Sequence, residues 1–190
     1  MRSCGNSFEI KKIKNGGAMT EENEVTFEEN TAYILFNYAV KREDLKELAD
    51  SVVENSSLAE QTILYELQIL KIISTGVSIN YLIKAPEAKN KISEYYWKYI
   101  LDFSASVTEA TKEYSNVELN YFDVIKEKLD FYLKELNQNK SAAEPASVIG
   151  PAFAHQCGDD SDTFAVMAGA KLFKSVIGGL SKFFEKEGLV

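Results

Sequence analysis

Histidine occurs once in this 190-residue chain, as His155; cysteine occurs twice, as Cys4 and Cys157, and arginine twice, as Arg2 and Arg42. A single imidazole removes two-His metal sites and the paired E-x-x-H units of di-iron bundles, and it forces any Ser/His/Asp or Cys/His mechanism through His155. The cysteines lie near opposite ends and form no C-x-x-C pair, so neither a disulfide framework nor a zinc knuckle is expected, and a reducing compartment suits them. The other basic residues are all lysine, which leaves few planar forks for clamping phosphate or carboxylate. No G-x-x-x-x-G-K-[ST] or G-x-G-x-x-G loop is present. The longest uncharged stretch, residues 145–158, is shorter than the roughly 18 apolar residues of a spanning helix and contains Pro145, Gly150 and Pro151, so no membrane span is expected. No apolar run precedes Cys4 to act as a secretory or lipoprotein leader, so a cytoplasmic location is expected.

The composition that remains is ordinary for a folded protein: 45% hydrophobic, 12% aromatic and 26% charged. Acidic residues outnumber basic ones by 29 to 21, and the net charge of -8 repels phosphate backbones. With no basic recognition helix in sight, a nucleic-acid partner is not expected. The charge is uneven. Residues 19–162 hold 13 basic against 26 acidic side chains, residues 163–190 hold 4 against 2, and residues 1–18 hold 4 against 1. Abundant Lys, Asn, Ile and Tyr fit an AT-rich bacterial genome. Gly16 and Gly17, just before Met19, fit a ribosome-binding site, so translation is expected to start at Met19. Residues 1–25 are expected to form a disordered tail.

From Thr26 onward the apolar spacing is helical. Thr26 with Glu29, Ser57 with Glu60, and Ser115 with Glu118 each form the S/T-x-x-E pattern of a capped helix start, and Pro86 followed by Glu87 marks a fourth. The spacing predicts helices from Phe27 to Glu54 with a kink at Lys41 to Asp44, and from Leu58 to Ile83 with a bend or break near Gly76. Two more follow from Pro86 to Tyr114 and from Val117 to Asn137. The second, apolar on more than one side, is the expected central helix. No hairpin or βαβ pattern interrupts them. The fold class is therefore all-α: an antiparallel bundle of about four helices over residues 26–138, a linker over 139–147, and a C-terminal segment over 148–190 ending in an amphipathic helix.

Three groups carry chemistry worth weighing. His155, Cys157 and Asp159 gather an imidazole, a thiol and a carboxylate in a short segment; a metal site or a small hydrolase centred on His155 and Cys157 is the alternative they support. The preferred reading is a turn, with Ser161 or Asp160 capping the last helix. Carboxylate pairs such as Glu28 with Glu29, Glu60 with Glu66, and Glu94 with Asp102 read as solvated helix faces. Among the aromatics, Tyr96, Tyr99 and Phe103 share a core stripe, and Trp97, off that stripe, is expected under the C-terminal segment or on a partner surface.

The last helix, from about Thr163 to Lys186, is the most informative. Phe173, Ile177, Leu180 and Phe184 line one face, while Lys171, Lys174 and Lys182 lie largely elsewhere. That face suits docking on the chain's own acidic bundle, on another copy or on a partner protein, with a membrane surface as the alternative. The function expected is thus a non-enzymatic helical interaction or assembly protein whose partner is a protein or a second copy. No cofactor and no small-molecule ligand are inferred.

Overall fold

The computed structural model describes residues 25–115, 119–142 and 144–190. The start at Met19 and the tail over 1–25 fall, but for Val25, outside them. Seven helices and no strand occur among the described residues: α1 (Phe27–Val40), α2 (Glu43–Val53), α3 (Glu60–Leu82), α4 (Pro86–Ser115), α5 (Tyr121–Gln138), α6 (Ala146–Cys157) and α7 (Thr163–Lys186). The all-α class is as expected, and the joins between helices differ in informative ways.

Thr26 caps α1 as its sequence pattern predicts, its Oγ1 accepting from Glu29 N at 3.2 Å. The long first helix is two helices, because Lys41 and Arg42 leave the helical path. Side chains of α3 hold that corner. Gln68 Nε2 donates to Ala39 O at 2.6 Å, and Lys71 Nζ donates to Lys41 O at 2.9 Å, so two carbonyls freed at the break find partners. Ser57 does not cap α3, whose N-cap is Ala59; Ser56 Oγ accepts from Leu58 N in the preceding turn instead. The box expected from Ser115 and Glu118 falls where residues 116–118 lie outside the described ones. Helix α5 begins later, behind Asn120, whose side chain accepts from Phe122 N and Asp123 N.

Helix α3 is central and unbroken through Gly76. The glycine is explained by packing: a Cβ there would stand 2.5 Å from Cζ2 of Trp97. Trp97 is thus covered by α3, not by the C-terminal segment. Its neighbour Tyr96 is fully buried and donates to Ile72 O at 2.7 Å. Thr75 and Ser78 satisfy their hydroxyls on carbonyls one turn back, Lys71 O and Ser74 O, so this polar stretch stays helical inside the core.

Behind the stretch expected as a linker over 139–147, Ala146–Cys157 form α6 despite Pro151 inside it. Small residues let α6 lie close against α7. A Cβ on Gly150 would fall 2.6 Å from Val166 O, and one on Gly169 would fall 2.5 Å from Cβ of Phe153. Contacts give the directions. Tyr33 and Phe36 meet Tyr99 and Phe103 in the same order, so α1 runs with α4. Lys128 meets Gln156 and Phe131 meets His155, so α5 runs against α6. Lys84 N donates to Leu189 O at 3.1 Å, which brings the C-terminal ends of α3 and α7 together. From α3 onward, consecutive helices alternate in direction.

Candidate functional site

Helix α7 has two faces with different fates. Phe173, Leu180 and Phe184 are 7%, 5% and 0% exposed and belong to the core with α3; Ile177 is half-buried. All four residues predicted for interaction therefore share one face, and that face packs on the chain itself. Phe173 and Ile177 also form one wall of a cleft of about 360 Å³, closed by Tyr81 and Leu82 of α3, Leu136 of α5 and Val148 of α6. At its N-terminus α7 is capped by Asp162, which accepts from Ala165 N at 2.8 Å. The expected capping residues are engaged elsewhere: Asp160 faces His155, and Ser161 donates to the Asp159 carboxylate.

The opposite face of α7 was not singled out by the sequence pattern. Phe164 and Met167 are 41% and 62% exposed, and Lys171, Lys174, Gly178 and Lys182 continue the same outward stripe. Residues 164, 167, 171, 174, 178 and 182 are three or four apart, so they lie above one another on the helix. Lys174 pairs with Glu144 of the α5–α6 connection. Among the described residues a Cβ on Gly178 or Gly179 would meet nothing within 4 Å, so this part of the stripe is open. The signal that could have found it was Phe164 and Met167, two large apolar side chains off the buried stripe and one turn apart.

The His155, Cys157 and Asp159 group does not converge. His155 is exposed, stacks on Phe131 at 5.5 Å between centroids, and holds Asp160 Oδ1 at 2.8 Å through Nδ1. It borders a groove of about 550 Å³ between α5 and α6. Cys157 points the other way and is buried; burial first, then the Glu66 charge, push its thiol up to about 12, so it is a poor source of thiolate. Asp159 Oδ1 accepts from Ser161 N and Oγ, which holds its carboxyl below the usual range. Among the described residues no three His, Cys, Asp or Glu side chains gather as a metal-ligand set.

Glu66 is not on a solvated face. It is 5% exposed between α3, α5 and α6, where its Oε1 accepts from Lys128 Nζ at 2.9 Å, and the same ammonium reaches Gln156 Oε1 at 2.6 Å. Burial raises the Glu66 pKa from its ordinary 4.5, against the hydrogen bond and charge of Lys128. Its Oε2 and the buried hydroxyls of Tyr121 and Tyr132 have no partner among the described residues. Spacing alone does not reveal this, because a glutamate on an amphipathic stripe carries no mark of which way it faces.

Helices α3 and α7 are each long and apolar enough to cross a membrane by length and composition, although charged residues interrupt both. In the folded chain 83% of the apolar window of α3 and 39% of that of α7 are buried, so one is a core helix and the other is two-faced. Comparison with protein-family models, curated proteins and solved structures finds no match to this chain.

Proposed function

We propose that the chain is a non-enzymatic helical interaction or assembly protein whose docking surface is the outward stripe of α7. The observation that supports this most directly is the exposure of Phe164 and Met167 on a stripe that continues as Lys171, Gly178 and Lys182. Exposed large apolar side chains at one end of a stripe and open glycines further along it are what a second helix needs for close approach. The inner face, with Phe173, Leu180 and Phe184, serves the fold. A membrane-surface role through that inner face would require those three side chains to leave α3, at roughly 1.5–3 kcal/mol each. The alternative of an enzyme centred on His155 and Cys157 is less well supported, since the Cys157 thiol is buried and pushed up to about 12.

The test is a photo-crosslinking amino acid placed at Met167 in cells that make the chain, with position 101 on α4, also exposed, as the control. Adducts specific to position 167, identified by mass spectrometry, are expected. Equal adducts at both positions, or none, would refute the reading.

A further inference from the structure

The geometry points to a second copy of this chain as the occupant of that stripe, the two α7 helices packing antiparallel about a twofold axis near Lys171. This rests on the reading of the outward stripe as the docking surface. In chain order the stripe runs from an acidic turn with Asp160, through Phe164 and Met167, to Lys171, and then through Ser175 and Gly178 to Lys182. Reversed upon itself about Lys171, each half complements the other. Phe164 and Gly178 lie equally far from Lys171 and stand opposite each other, a large side chain over a position with no Cβ. Met167 faces Ser175 in the same way, and the turn carrying Asp160 comes level with Lys182. The twofold generates every one of these pairings twice.

Three further features favour this occupant. A Cβ at Gly178 would meet nothing within 4 Å among the described residues, so packing among them does not call for a glycine that weakens the helix interior. Asp160 is engaged on one side by His155, yet its side chain remains 75% exposed and free to meet a lysine. Antiparallel helices also set each dipole against the opposite end of its partner. Lys174 is already paired with Glu144. Lys171 against its symmetry mate is a like-charge contact, and its long stem lets the ammonium turn to water. An isologous contact closes on itself, giving a dimer and no filament.

Sedimentation equilibrium on the purified full chain, from about 1 to 500 µM, tests this. A monomer–dimer equilibrium is expected. Gly178→Leu should weaken it at least about tenfold, whereas Lys171→Ala should tighten it. Asp160→Lys and Lys182→Asp should each weaken it, and the double exchange should recover most of the loss. Circular dichroism melts establish that each variant is folded; if Gly178→Leu is not, the charge exchange decides. A monomer throughout, or a dimer indifferent to all these changes, overturns the inference. A monomer in sedimentation together with a crosslink from position 167 to a different protein overturns the second-copy occupant and leaves the stripe reading standing.

Discussion

Lys71 is fully buried in α3, and its ammonium is satisfied at once by both oxygens of Asp44 at 2.8 Å, by Lys41 O and by the Tyr38 ring 4.5 Å away. Burial lowers its pKa from the ordinary 10.5, with the Asp44 hydrogen bond working against that shift. Asp44→Asn would leave the charge under-compensated inside the protein and should cost about 2–3 kcal/mol, less than a fully buried pair because Asp44 is half-exposed; urea denaturation measures it. Glu66 gives a pH signature. Its folded pKa is raised, so its contribution to stability is present below the ordinary 4.5 and is lost as pH rises through the folded value. Glu66→Gln removes that loss. The stability of this variant relative to the parent should therefore grow as pH rises from 4.5, and a shrinking difference in urea melts would mean that Lys128 dominates. Cys157, with its thiol pushed up to about 12, should react slowly with a disulfide reagent at pH 8 in a Cys4→Ser background and rapidly once denatured. None of these three environments was legible in the sequence, since charge and thiol positions depend on how helices rotate against one another.

At the scale of the element, the apolar spacing marked α3, α4 and α7 to within a few residues, and Thr26 marked the start of α1. Stripe periodicity carries that information because a helix buries one side at a time. The breaks were harder. The charged run at Lys41 to Asp44 looked like a kink, and only the donors from Gln68 and Lys71 make a full corner there. Gly76 looked like a weak point and is instead a seat for Trp97. Gly76→Ala should therefore destabilise, by about 1–3 kcal/mol from forced repacking, although alanine favours helix by about 1 kcal/mol. Gly178→Ala faces open space and should do the reverse, raising the melting temperature of the monomer. Helix α6 was missed because Ala, Gly and Pro151 blur its periodicity; its helicity comes from close packing on α7.

For the molecule as a whole, the change of composition at residues 139–147 suggested a linker with an appendage behind it. Helix α6 begins at Ala146, and α7 lays Phe173, Leu180 and Phe184 against the same core that α3 serves. A chain ending at residue 140 would uncover the α3 face on which α7 sits. It should bind a hydrophobic dye and lose its cooperative thermal transition, while retaining helical circular dichroism. A sharp transition at an unchanged temperature would show that the first five helices suffice.

Helix α3 touches each of the other six helices. An opening fluctuation that frees its amides must therefore dislodge most of the molecule, so hydrogen exchange along residues 67–79 should be governed by global unfolding, while the outer turns of α1 exchange through small local excursions. The slowest deuterium uptake would then trace a single rod through the middle of the protein, and any change that loosens this rod should speed exchange throughout the chain.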